Sequence, residues 1–180
     1  MPQIFNCSPS ARNHGIDIML KLGFCFLTLS AMAFGQVPPA EKMNKDAISL
    51  QNAVNELINN AIPGVGLQNA KAAYLEGYGL VVSLEAPLVP PRKPFGDTST
   101  AGDFRASANQ RHKDVIDKLT NLLKQKVPAL ESIGPTDSVA IIFNLVNTNP
   151  ADVPDLPAQI VLTVKKQDTA SGSIAVREYK

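Results

Sequence analysis

The chain has 180 residues, of which 44% are hydrophobic and 18% are charged, and its formal net charge at pH 7 is +1. This length corresponds to one ordinary domain, or to a small domain with appendages. A near balance of charge argues against a protein that binds nucleic acid, since such binding needs an excess of basic side chains on the surface.

The first feature in chain order is an apolar run from Leu22 to Phe34 that follows Lys21. The run is shorter than the ~20 residues that a membrane-spanning helix needs. A positive residue, a short apolar segment and small side chains near its end are typical of a secretory signal peptide. Ala33 and Gly35 stand three and one positions before Gln36. We therefore predict cleavage between Gly35 and Gln36, with cleavage after Ala33 as the alternative and no stable membrane insertion afterwards.

The predicted signal peptide limits what residues 1–35 contribute to function. Met19 begins a complete signal peptide of its own, so residues 1–18 are predicted to be an upstream extension. Cys25 lies inside the apolar run rather than at its end, which argues against a lipid anchor. Cleavage removes both cysteines. Residues 36–180 are therefore predicted to form a single domain without disulfides, which depends on its core for stability.

Two amphipathic helices are predicted in this domain. The first carries an apolar stripe in which residues recur at spacings of three and four: Met43, Ala47, Leu50, Val54, Leu57 and Ala61. Its other face is expected to be solvated and carries Asn52, Asn55, Glu56 and Asn59. The helix is expected to end at Pro63 and Gly64. The second is predicted to begin at Ser107, with Gln110 completing a capping box, and to run to about Val127.

The strands follow from short apolar or alternating runs. Residues 67–76 are compatible with a short helix, whereas residues 80–85, 139–146 and 159–165 have the composition of strands. The run at 139–146 is apolar on both faces, which is typical of a strand in the middle of a sheet. An additional edge strand is predicted at 173–179. The expected fold class is α+β, with two amphipathic helices packed on one face of a three- or four-stranded mixed sheet.

Residues 87–106 are rich in proline, glycine and small polar residues. This composition predicts a mobile loop, which acts either as a lid or binding loop or as a solvated linker, and we favour the linker. Arg92 and Lys93 are its only concentrated charge. With Lys165 and Lys166 they are candidates for a modest anion-binding patch, and a solvated rim is the alternative.

The sequence contains none of the common phosphate-binding, zinc-protease, nucleophile-elbow or calcium-loop motifs. His112 is the single histidine of residues 36–180, and Asp114 and Asp117 follow it on the second helix. His112 with Asp114 is thus the candidate acid–base pair, although a histidine on the charged side of a helix more often belongs to ordinary surface. The Asn and Asp residues at 147–155 match no metal-ligand spacing. No metal and no cofactor are expected.

Gly77 and Gly79 flank Tyr78 at the start of the first predicted strand. Glycines at such a position can permit the close approach of a ligand or of another chain. They can equally form a bend or bulge that starts the strand, which is the interpretation we favour. The three residues are kept as candidate binding residues together with Arg92 and Lys93.

One segment carries a family resemblance. Ala73–Val82, AYLEGYGLVV, is followed by a Pro-rich break, a charged helix, an apolar strand and Gln159–Asp168, QIVLTVKKQD. In this combination the chain resembles an uncharacterised family of exported bacterial proteins. The resemblance implies export, a single α+β domain and no established activity, and it transfers no catalytic residues.

The sequence therefore predicts a soluble exported bacterial protein, periplasmic or secreted, that acts as a non-enzymatic binding or interaction module. Its partner in the cell envelope is an unknown protein or small molecule, and nucleic acid is not expected. One alternative is an envelope hydrolase that uses His112 with an Asp partner. Another is a subunit of an envelope assembly, in which the edge strand at 173–179 extends a partner's sheet.

Overall fold

Two long helices and five strands make up the part of the chain that the computed structural model describes, which is residues 39–62, 69–88, 100–146 and 153–180. In chain order the elements are α1 (Ala40–Ala61), β1 (Lys71–Leu75), β2 (Gly79–Ala86), α2 (Ala101–Lys126), β3 (Ser138–Leu145), β4 (Gln159–Lys165) and β5 (Ala175–Tyr179). Short 3₁₀ turns follow α2 and β4. The fold class is α+β, as predicted, but the prediction of three or four strands was wrong.

All five strands belong to one mixed sheet with the order β1-β2-β3-β4-β5. β2 and β3 pair in parallel and are connected through α2, whereas the other neighbouring pairs are antiparallel. The predicted central strand at 139–146 corresponds to β3, which is the third of the five. The predicted strand at 173–179 corresponds to β5, which forms one edge.

The additional strand is β1, which lies in the segment 67–76 that the sequence predicted as a short helix. β1 pairs with β2 from Lys71 opposite Ser83 to Leu75 opposite Gly79. Alanine favours helix locally, but pairing with a long neighbouring strand overrides that preference.

The first helix stabilises β1 with side-chain hydrogen bonds. Asn55 Oδ1 accepts from the Ala70 N–H at 2.7 Å, and Gln51 Oε1 accepts from the Ala72 N–H at 3.1 Å. Asn55 is half-buried, so the expectation that it belongs to a solvated face was wrong. These two amides satisfy backbone donors on the outer side of β1 that the sheet leaves without a strand partner.

The core is one cluster of buried side chains from both helices and from alternating positions of the strands. The helices contribute Leu50, Val54 and Ile58 from α1 and Val115, Leu119 and Leu123 from α2. The three inner strands contribute Leu80, Val82, Leu84, Val139, Ile141, Phe143, Ile160, Leu162 and Val164. We call the sheet face that carries these strand residues the core face.

Asp46 adds a buried polar connection between α1 and the segment after α2. Its carboxylate accepts hydrogen bonds from the N–H and the Oγ–H of Ser132, each at 2.7 Å. The side chain lies in the first half of α1, and its two donors come from one residue. Hydrogen bonds to a buried charged group are stronger than those between neutral groups, so this contact fixes the start of α1 against that segment.

The second helix begins earlier than predicted. Its N-cap is Thr100, and Thr100 forms a capping box with Asp103, so the predicted box at Ser107 and Gln110 was wrong. Residues 101–106, which the sequence predicted as part of a loop at 87–106, therefore belong to α2. Residues 89–99, with Arg92 and Lys93, lie outside the described residues, as does the predicted signal peptide with Gly35 and Gln36.

Close contact between β2 and β3 requires a glycine at the start of β2. Gly77 and Gly79 have φ values of +75° and +123°, which are regions that favour glycine. A Cβ atom at Gly79 would lie 2.2 Å from the carbonyl oxygen of Ser138, whereas one at Gly77 would have no atom within 4 Å. The Ser138 N–H also donates to the Tyr78 carbonyl at 2.7 Å.

We predict that Gly79→Ala lowers the free energy of unfolding by about 3 kcal/mol or more, because it adds a steric clash to backbone strain. Gly77→Ala is the matched control, and it should cost only about 1–2 kcal/mol, because strain is its only penalty. Urea unfolding followed by circular dichroism measures both. Equal losses for the two variants would contradict the close packing at Ser138.

The capping box generates a prediction about pH. Hydrogen bonds from the Thr100 side chain and then from its backbone N–H lower the pKa of Asp103, against a small opposing effect of desolvation. A lowered folded-state pKa stabilises the fold above the unfolded-state pKa, and the contribution is lost as the pH falls through the folded-state value. Thr100→Ala should raise the pKa of Asp103 toward its ordinary value, measured by NMR titration. Thr100→Ser keeps the hydroxyl and should leave the pKa low.

Candidate functional site

The structure places His112 next to a carboxylate, but not next to the predicted one. His112 Nε2 lies 3.2 Å from Glu178 Oε1 on β5. Asp114 is exposed and instead accepts a hydrogen bond from Gln110 Nε2 at 2.8 Å. Asp117 is also exposed. The pairing of His112 with Glu178 joins α2 to the edge strand, and neither residue is near the other in sequence.

The environment of His112 favours a structural role over acid–base catalysis. Its side chain is 15% exposed, and Nε2 itself is buried without a well-directed hydrogen bond to any described residue. A general base must lie within hydrogen-bond reach of the proton that it removes from a substrate. Since Nε2 faces Glu178 instead of solvent, the pair is placed to hold β5 against α2.

The Gly77–Gly79 segment forms the hairpin turn between β1 and β2. The Tyr78 N–H donates to the Leu75 carbonyl at 3.0 Å, and the Tyr78 ring is partly exposed. The close backbone approach that Gly79 permits is made to β3 within the same sheet. The favoured interpretation, a bend that starts the strand, accounts for these glycines without a ligand.

Of the candidate anion patch, Lys165 and Lys166 lie among the described residues, whereas Arg92 and Lys93 do not. Lys166 Nζ donates to the carbonyls of Leu130 and Ile133, at 2.5 and 3.0 Å, and so stabilises the segment after α2. Lys165 is exposed on the sheet. Lys166 therefore makes structural contacts, whereas Lys165 is exposed to solvent.

The sheet face opposite the core face is a further candidate site. Its residues, which we call the second face, occupy the strand positions that alternate with the core residues. They are Lys71, Ala73, Leu75, Val81, Ser83, Glu85, Ser138, Ala140, Ile142, Asn144, Gln159, Val161, Thr163, Lys165, Ala175, Arg177 and Tyr179. None of them belongs to the buried cluster that the strands share with the helices.

The centre of the second face is apolar. Val81 lies opposite Ala140, and Ile142 lies opposite Val161, so four apolar side chains are contiguous across β2, β3 and β4. Three of them are half-buried, and Ala140 is 3% exposed without belonging to the core cluster. A sheet face that is exposed only to solvent usually carries polar side chains at such positions. The apolar centre is therefore suited to contact with another apolar surface.

Charged side chains surround this centre. Lys71, Lys165 and Arg177 are exposed cations on the second face, and Glu85 is its one acid. None of the four forms an ion pair with a described residue. Polar side chains occupy one end, where Gln159 Nε2 donates to Asn144 Oδ1 at 2.8 Å. The second face thus combines an apolar centre with an excess of unpaired positive charge.

The two edges of the sheet differ. The outer side of β1 receives the side chains of Gln51 and Asn55 from α1. All five residues of β5 are exposed, and no described residue pairs with its outer side. Sequence reasoning identified β5 as an edge but could not identify the protected edge, since that depends on which strand α1 contacts.

The described residues offer neither a metal site nor a membrane-spanning helix. They contain no group of three or more His, Cys, Asp or Glu side chains placed to hold a metal ion. Among them, neither helix has the length and apolar character needed to span a bilayer.

The contact of His112 with β5 generates a prediction. His112→Ala removes the side chain that packs against Glu178, so amide hydrogen exchange at Ala175–Tyr179 should accelerate by about tenfold, equivalent to ~1.4 kcal/mol of local stability. Lys113→Ala changes an exposed neighbour on α2 and serves as the control. Unchanged exchange in β5 of the His112 variant would show that the contact does not hold the strand.

The chain was compared with protein-family models, with curated proteins and with solved structures, and none of them matched it.

Proposed function

We propose that the chain is an exported bacterial protein that acts in the cell envelope, periplasmic or secreted, as a non-enzymatic binding or interaction module. The segment Leu22–Phe34, with Lys21 before it and Gly35 and Gln36 after it, supports export through a cleaved signal peptide. The absence of charge in that segment distinguishes it from an amphipathic core helix.

The single observation that carries the binding role is the apolar centre of the second face. Val81, Ile142 and Val161 are half-buried, so part of each side chain remains accessible. Apolar side chains that are contiguous on a surface favour association, because covering them removes apolar area from water. A surface of this kind suits contact with a partner better than it suits chemistry.

We further propose that α1 and α2 both lie against the core face. The shared buried cluster of the helices and the alternate strand residues supports this arrangement. It leaves the second face as the surface on which the sheet meets its partner.

A second candidate is a subunit of an envelope assembly. The exposure of the whole of β5, compared with the side-chain hydrogen bonds on β1, favours this function. An added strand would find unpaired backbone groups on β5. The hydrolase alternative has less support, because His112 Nε2 is buried against Glu178.

A photo-crosslinking experiment tests the binding role. The precursor is produced in the source bacterium with p-benzoylphenylalanine at Ser83 on the second face or at exposed Ser49 on α1. We expect a discrete covalent adduct from position 83 that is missing from position 49, on a protein whose N-terminus, measured by mass spectrometry, is Gln36. The same adducts from both positions, or none from position 83, would contradict the binding role of the second face. An N-terminus inside residues 1–33 would contradict the predicted cleavage at either site.

A further inference from the structure

We propose that the second face binds an amphipathic helix of a partner protein, and that carboxylates flank the apolar stripe of this helix on both sides. This inference rests on the proposed binding function and names the partner's chemistry. It follows from the width of the apolar centre and from the positions of the cations around it.

The apolar centre has the width of one helix. It extends from Val81 on β2, across β3, to Val161 on β4. Two inter-strand steps amount to about 10 Å, and the diameter of an α-helix with its side chains is about 10–12 Å. A single helix lying along the strands would therefore cover the centre and leave β1 and β5 on either side.

Each of the two flanking strands, β1 and β5, carries one cation, and the two cations lie in the same row across the sheet. The strand register places Lys71, Ser83, Ile142, Val161 and Arg177 in one row across the sheet. The four inter-strand steps of this row separate Lys71 from Arg177 by about 19 Å. A helix over the middle of the row would have one flank beside Lys71 and the other beside Arg177. Acidic residues on both flanks could therefore form ion pairs with these two cations.

The remaining two charges favour one direction for this helix. Lys165 lies opposite Ser138 at one end of the second face, and Glu85 lies opposite Asn144 at the other. A helix carries partial positive charge at its N-terminus and partial negative charge at its C-terminus. The N-terminus of the bound helix should therefore lie at the Glu85 end.

Other occupants fit less well. A second copy that stacked its own second face here would bring three cations and one acid against the same set, which is unfavourable. Single-stranded nucleic acid binds sheet faces through aromatic stacking platforms, and the only aromatic residue of the second face is Tyr179 at its corner. An acidic helix matches both the apolar centre and the charge.

The test measures the yield of the adduct from position 83 in two charge-reversal variants. Lys71→Glu with Arg177→Glu reverses the two cations of the row. Lys113→Glu with Lys118→Glu makes the same change of net charge on the exposed side of α2. We expect the yield to fall at least tenfold in the first variant and to change less than twofold in the second. Circular dichroism checks that both are folded, and Lys71→Gln with Arg177→Gln replaces the first variant if it is not.

The partner segment in the adduct is then identified by peptide mass spectrometry. We expect apolar residues at helical spacing with Asp or Glu on both flanks, and a synthetic peptide of that segment should compete with formation of the adduct. Replacing the flanking acids of the partner by Lys should restore the adduct with the Lys71→Glu, Arg177→Glu chain. This exchange of charges tests direct pairing rather than a general effect on folding.

An adduct that persists in the Lys71→Glu, Arg177→Glu chain would overturn the proposal. So would an adduct to a second copy of the chain, to nucleic acid or to a segment without flanking acids. These results would leave the binding role of the second face intact. Complete absence of an adduct from position 83 would overturn the proposed function itself, so the two failures are distinguishable.

Discussion

The parallel pairing of β2 with β3 determines how the chain connects its helices and strands. Parallel neighbours cannot be joined by a tight turn, so the chain must leave the sheet and return through a crossover, which here contains α2. The two strands approach so closely at Gly79 and Ser138 that no side chain fits between them. The antiparallel hairpins then extend the sheet outward, with β1 on one side and β4 and β5 on the other.

Most of the elements could be predicted because their buried apolar residues recur at regular spacings in the sequence. The helices and the strands β2, β3 and β4 have regular apolar spacings, which local sequence reveals directly. β1 has no such pattern, since it is a short Ala-containing segment whose stability comes from β2 and from the amides of Gln51 and Asn55. The start of α2 was missed because Thr100 with Asp103 and Ser107 with Gln110 offer similar capping chemistry, and only the structure decides between them.

The candidate site was less accessible to sequence reasoning, because its residues come together only through strand register. His112 was identified from its chemistry, but its carboxylate neighbour Glu178 lies on the last strand. The apolar character of β3 on both faces was visible in the sequence and predicted a strand in the middle of the sheet, which is confirmed. The row that joins Lys71 to Arg177 across five strands has no counterpart in the linear sequence.

The two edges of the sheet differ in how readily another strand can pair with them, and this limits how many strands can be added. Because α1 satisfies the Ala70 and Ala72 amides, β1 offers little for another strand to pair with. A sheet with two available edges can add copies without end and form a filament, whereas one with a single available edge can add only one neighbour. Strand pairing through β5 alone would therefore join two chains without continuing into a filament.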